Sequence, residues 1–168
     1  MRPGPILLRL SFAAALAATA PAEAQQRQIF RAADWQGGAL YNSNQQFSGC
    51  YIMRSYADGT KVEIQLTPRL EMWVGASKTT WNLDPNQEFE LTFEINEFKK
   101  KYSGKASAQY RNTLWFKVGN DPELRRALAG NGTMTWVDPK GLRFPFDLAN
   151  SDNAMRKLLA CTALYGVE

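Results

Sequence analysis

The sequence predicts a mainly β protein, an antiparallel sandwich or open barrel with one short helix and a C-terminal helix packed on the sheet. Three observations carry that expectation. Short runs of alternating apolar and polar residues recur at close spacing with turn signals between them, strand and helix patterns do not alternate along the chain, and sustained helical spacing follows Asn150. A single antiparallel sheet with that helix across one face is the alternative, since a helix of about three turns covers such a face.

The first segment, residues 1–24, combines Arg2 and Arg9, an apolar run from Leu10 to Ala18, and Ala22-Glu23-Ala24. These are the positive region, apolar region and small-residue cleavage site of a secretory signal, cut after Ala24. The run falls short of the roughly 20 apolar residues that span a bilayer, so the expected address is periplasmic or secreted. Residues 25–46 are rich in Gln and Asn, with Ile29, Phe30 and Trp35 scattered among them and no sustained period, and read as a loosely ordered arm. A single β-rich domain is expected over residues 47–168, a size that suits one core.

Within that domain, Phe47 to Tyr56 and the alternating Val62, Ile64 and Leu66 flank Asp58-Gly59, a hairpin signal. Pro68 breaks the run, and Leu70, Met72 and Val74 resume the alternation. Asn82 to Gln87 reads as a turn. From Glu88 to Asn96, Phe89, Leu91, Phe93 and Ile95 point one way and Glu88, Glu90, Thr92 and Glu94 the other, which predicts a strand with one acidic face. Lys99, Lys100, Lys101 and Lys105 surround Tyr102 in what reads as a connection, and Leu114, Phe116 and Val118 start another strand. Asp121-Pro122 caps a helix that Gly130 ends. Gly132 to Val137 and Leu142 to Leu148 pair across Asp138-Pro139-Lys140-Gly141. Asn150, Ser151 and Asp152 then introduce a helix with Ala154, Leu158, Cys161 and Tyr165 on one stripe.

Two cysteines in an exported chain predict a disulfide from Cys50 to Cys161, tying the first strand of the domain to the last helix. A redox-active pair wants Cys-x-x-Cys spacing, which is absent.

The ending FDLANSDNAMRKLLAC, an apolar strand, a capped turn and then Ala-Met-x-x-Leu-x-x-Cys, resembles the close of small exported alphaproteobacterial proteins similar to the invasion-associated locus B family. That family places a glycine in the turn where this chain has Asn150 and Ser151. The resemblance covers about a tenth of the chain and implies a periplasmic β-rich domain of undetermined activity. It carries over no catalytic residue.

The chain contains no histidine, which excludes Ser-His-Asp triads, Cys-His pairs, His-based zinc sites and imidazole acid/base chemistry. Ser-x-x-Lys and the glycine-rich nucleotide cradles are also missing, so no cofactor, metal or catalytic residue is assigned. Removing residues 1–24 leaves 18 basic and 15 acidic residues, a net charge of +3, too small for a nucleic-acid binder.

Carboxylates remain. Glu63, Glu71, Glu88, Glu90 and Glu94 support a glycan hydrolase only if two of them sit about 5 to 9 Å apart in a cleft. A solvated strand face, with Lys61, Arg69 and Lys117 as cross-strand partners, accounts for the same residues. Trp73 and Trp115 fall on the polar side of their strands, as interface anchors or as parts of a smaller second core. With Tyr102, Lys99, Lys100 and Lys101, whose bland alternative is a solvated loop guarding an edge, they form the candidate binding face. The sequence therefore predicts a non-catalytic exported module that binds a protein partner or an envelope polymer. The alternative is a carboxylate-dependent glycan hydrolase.

Overall fold

The computed structural model describes residues 25–85, 87–95, 100–138 and 140–165. The expected signal segment and Lys99 lie outside them. Along the described chain run β1 (Gln25–Ala32), β2 (Trp35–Tyr41), β3 (Phe47–Ser55), β4 (Thr60–Leu66), β5 (Met72–Lys78), β6 (Glu88–Ile95), β7 (Lys100–Tyr110), β8 (Thr113–Gly119), α1 (Pro122–Leu128), β9 (Thr133–Val137), β10 (Arg143–Asp147) and α2 (Ser151–Tyr165). The ten strands form one antiparallel sheet in the order β1-β2-β3-β4-β5-β8-β7-β6-β9-β10.

Strands β1 to β5 make a meander. The connection after β5 then passes over the positions of β8 and β7 to start β6, and two hairpins bring the chain back to pair β8 with β5. Helix α1, capped by Asp121 whose Oδ1 accepts from the Glu123 and Leu124 amides at 2.8 and 3.0 Å, returns the chain to the free side of β6.

The register puts one apolar face on a continuous inner side. Across it run Cys50, Ile52, Ile64, Val74, Phe116, Ala106, Phe93, Trp136 and Phe146, all buried. The sheet is not closed by backbone pairing, since β1 and β10 remain its edges. It curls far enough for side chains to bridge the seam. The Tyr56 hydroxyl donates to the Asp147 carbonyl at 2.7 Å, and Arg54 reaches the carbonyls of Asp147 and Ala149 at 2.9 and 3.2 Å. Pro145 sits in the edge strand β10, where a missing N–H discourages further strand pairing.

Helix α2 packs on β1 to β4 and buries Ala154, Met155, Leu158, Cys161 and Thr162, the stripe expected of it, although Tyr165 is left exposed. Cys161 is bonded to Cys50. Trp35 Nε1 donates to the Ala149 carbonyl at 3.0 Å, and Lys157 to the Arg31 carbonyl at 2.8 Å, so the entry and the middle of the helix are also held by polar ties.

Two segments depart from the sequence reading. Residues 25–46 hold strands β1 and β2, and residues 100–110 are the strand β7 instead of a connection. Both have the same physical origin. On β2 the inner positions are Trp35, Gly37 and Ala39, and on β7 they are Tyr102, Gly104, Ala106 and Ala108. Small residues facing the core erase the apolar alternation while leaving room for large neighbours. Phe30 lies over Gly37, and Phe116 stands opposite Ala106.

Candidate binding face

The outer side of the sheet carries two rows of side chains across β3, β4, β5 and β8. One row runs Met53, Glu63, Gly75, Trp115, and the other Tyr51, Gln65, Trp73, Lys117. Trp73 and Trp115 are therefore diagonal neighbours on adjacent strands, the arrangement in which large aromatic side chains still interact. Both are half-buried.

Each indole is held in place. A Cβ at Gly75 would fall 2.6 Å from two carbons of the Trp115 ring, so that ring lies against the main chain of β5 where a side chain would otherwise stand. Lys117 Nζ sits 5.5 Å from the centre of the Trp73 ring, a cation–π distance, and 3.8 Å from the Glu71 carboxylate. Beside them Gln65 donates to Glu63 at 2.8 Å. Tyr51 is buried on the same side of the sheet, and burial pushes its hydroxyl pKa up, with the Glu63 carboxylate adding to the shift.

The other predicted residues lie apart from this pair. Tyr102 points to the inner side, stacked on Phe93 with ring centres 4.9 Å apart, and burial raises its pKa. Lys101 is on the outer side but six residues along β7 from Ser107, the neighbour of Trp115, which puts it about 20 Å away along the strand. It pairs with Glu94 at 2.9 Å. The Lys100 main chain belongs to β7, and its side chain lies outside the described residues, as does Lys99.

Three of the glutamates, Glu71, Glu88 and Glu94, are ion-paired. Glu94 receives Lys101 from β7 and Arg143 from β10 at 2.9 and 2.7 Å, and these hydrogen bonds hold its carboxyl below the usual range. Glu88 pairs with Lys105 at 2.7 Å, and Glu71 with Lys117. Glu90 is exposed at the rim of a shallow depression of about 400 Å³ that also includes Asp138. Asp138 is engaged in its own turn, accepting from the Lys140 and Leu142 amides at 2.9 and 2.8 Å. Among the described residues no group of three or more His, Cys, Asp or Glu is arranged to hold a metal ion.

One feature had no signal in the sequence. Tyr56, Trp81 and Phe144, far apart in the chain, meet at the seam beside the Asp58–Lys78 ion pair and enclose a slot of about 460 Å³. A residue spacing rule does not register it, because the walls come from separate strand ends that only the curl of the sheet brings together.

The fold has a solved counterpart. The crystal structure of invasion associated protein b from Bartonella henselae superposes with a TM-score of 0.53 at 10% sequence identity, covering 84% of this chain and 98% of that one. At that identity the likeness is one of fold alone. No protein-family model and no curated protein matches the sequence. No helix among the described residues is long and apolar enough to cross a membrane.

Proposed function

We propose that this is a non-catalytic exported module that docks a protein partner or an envelope polymer on its outer sheet face, around Trp73 and Trp115. The observation that carries the proposal is the seating of those indoles. Trp115 rests on the Gly75 main chain and Trp73 is flanked by Lys117, so two large amphipathic surfaces are fixed before any partner arrives. Such rigid aromatics lose little conformational entropy on binding and are the residues over-represented at interface hot spots.

The carboxylate pairing weighs against the hydrolase alternative. A general acid needs a carboxyl held in a pocket with its pKa raised, whereas Glu94 is shifted the other way and Glu88 and Glu71 lie beside lysines. Export rests on residues 1–24 and on the disulfide, which persists in an oxidising compartment. A relation to the invasion-associated locus B family is part of the same reading, supported by the C-terminal pattern and by the shared fold.

The test is retention of envelope components by immobilised residues 25–168, comparing the parent with a Trp73→Ala, Trp115→Ala variant. The reading expects bands or polymer retained by the parent and released by the variant. Retention that is identical in both refutes the face, and turnover of an envelope glycan by the parent refutes the non-catalytic assignment.

A further inference from the structure

The slot at the seam lies away from the tryptophan face and has a different chemistry. One wall is Trp81, which follows β5, and another is Phe144 of β10. Their rings stand 6.5 Å apart at 82°, forming an aromatic corner. Tyr56 closes a third side, its ring 6.2 Å from Phe146 and its hydroxyl committed to the Asp147 carbonyl. That commitment fixes the ring, and burial, with the Asp147 carboxylate adding to it and Arg54 opposing it, pushes the phenol pKa up to about 12, so it stays neutral.

The polar floor is a paired acceptor and donor. Asp58 Oδ2 meets Lys78 Nζ at 2.7 Å, and the same carboxylate accepts from the Thr60 amide and hydroxyl at 3.0 and 2.8 Å. The bonds from Lys78 and Thr60 hold the Asp58 carboxyl at about 2, and it remains ionised at any physiological pH. The pair as a whole has no net charge. An anionic or cationic ligand gains no net Coulomb attraction there, but two adjacent hydroxyls find an acceptor and a donor side by side.

We propose that this slot is a binding site for one residue of a neutral glycan, with a pyranose laid against Trp81 and Phe144 and two of its hydroxyls bonded to Asp58 and Lys78. The apolar C–H face of a pyranose suits a fixed aromatic wall, and the rim of the same ring supplies the hydroxyls. The volume, about 460 Å³, lies in the range of roughly 300 to 1,000 Å³ usual for small-ligand pockets. Its position across the seam also places the ligand between β5 and β10, elements that are not strand neighbours. Occupancy therefore bridges a seam that, among the described residues, is spanned by the side chains of Arg54 and Tyr56. The site stands independently of the tryptophan face, and its failure leaves that reading untouched.

The experiment is a titration of residues 25–168, disulfide intact, with cellotetraose and chitotetraose to millimolar concentration, followed by NMR at the tryptophan indole N–H resonances. N-acetyl-phenylalanine amide serves as a peptide-side-chain probe. The proposal expects a saturable shift of the Trp81 resonance with at least one oligosaccharide and none with the amide. Trp81→Ala and Lys78→Gln, each checked for unchanged melting, are expected to weaken that binding by about tenfold or more, the effect of truncating a stacking or hydrogen-bonding contact. Trp73→Ala, Trp115→Ala leaves it intact. If Trp81→Ala unfolds the chain, Lys78→Gln decides, since it changes a half-buried side chain paired with the half-exposed Asp58 and alters no core residue. No shift of Trp81 with either sugar, binding that survives Lys78→Gln unchanged, or saturation by the amide instead of a sugar overturns the proposal.

Discussion

Replacing Cys50 and Cys161 together by Ser removes the one covalent tie between the sheet and α2 among the described residues. The bond closes a loop with a sequence separation of 111, for which the chain-entropy treatment gives about 5 kcal/mol at 25 °C. That figure acts on the unfolded ensemble. In the folded protein α2 keeps its buried stripe of Ala154, Met155 and Leu158, together with the Trp35–Ala149 and Lys157–Arg31 hydrogen bonds. The variant is therefore expected to stay folded at neutral pH with α2 docked, and to lose about 3 to 5 kcal/mol, within the range seen when a native disulfide is removed. Equilibrium urea unfolding of parent and variant, followed by far-ultraviolet circular dichroism and tryptophan fluorescence, measures the difference. Trp35 reports helix docking directly, because its indole N–H bonds to the carbonyl that precedes α2. A variant as stable as the parent, or two reactive thiols per chain in the denatured, non-reduced parent, refutes the reasoning.

Three further outcomes follow from the same contacts. Gly37→Ala drives a Cβ to 2.5 Å from the Tyr51 carbonyl oxygen, part of the main chain, while the nearest atoms to a Cβ at Gly75 belong to the Trp115 side chain. The first is expected to destabilise more in thermal melts, and the second to cost about 1 to 3 kcal/mol as overpacking does and to red-shift Trp115 emission. Asp58 is held at about 2 against an ordinary 3.8, so its contribution is fully present above about pH 4 and is lost as pH falls through about 2; Asp58→Asn is expected to flatten that part of the stability profile in acid titration. Asp121→Ala removes the acceptor for two amides of α1 and is expected to cost about 1 kcal/mol in urea unfolding, with no change in the m-value.

How much of this was legible depends on what the inner positions hold. Where they are large, as with Phe89, Leu91, Phe93 and Ile95, the alternation exposed the strand and its register at once. Where they are Gly37 and Ala39, or Gly104, Ala106 and Ala108, the same alternation vanishes, and β1 and β2 read as an arm and β7 as a loop. The helices were legible because capping is local: Asp121 and Pro122 sit beside each other in the chain. The cysteine pairing followed from compartment chemistry, without geometry. The site was legible only where one strand's alternation defines a side, which placed Trp73 and Trp115 together but could not separate them from Tyr102, misassigned with the loop that is in fact β7. The seam slot depends on the curl of the whole sheet, a property no local pattern encodes.

Trp73 and Trp115 are proposed to form a binding surface and not a second core. Paired measurements of unfolding free energy and partner affinity on Trp73→Ala, Trp115→Ala test this most directly, with Trp35→Ala as the core comparator. Trp35 is 1% exposed, and its truncation is expected to cost about 3 to 5 kcal/mol of stability. The outer-face double variant is expected to lose less stability than Trp35→Ala alone yet to give up at least about 2 kcal/mol of affinity for whatever the parent retains. A double variant that destabilises as much as Trp35→Ala, with affinity unchanged in the fraction still folded, would contradict the proposal.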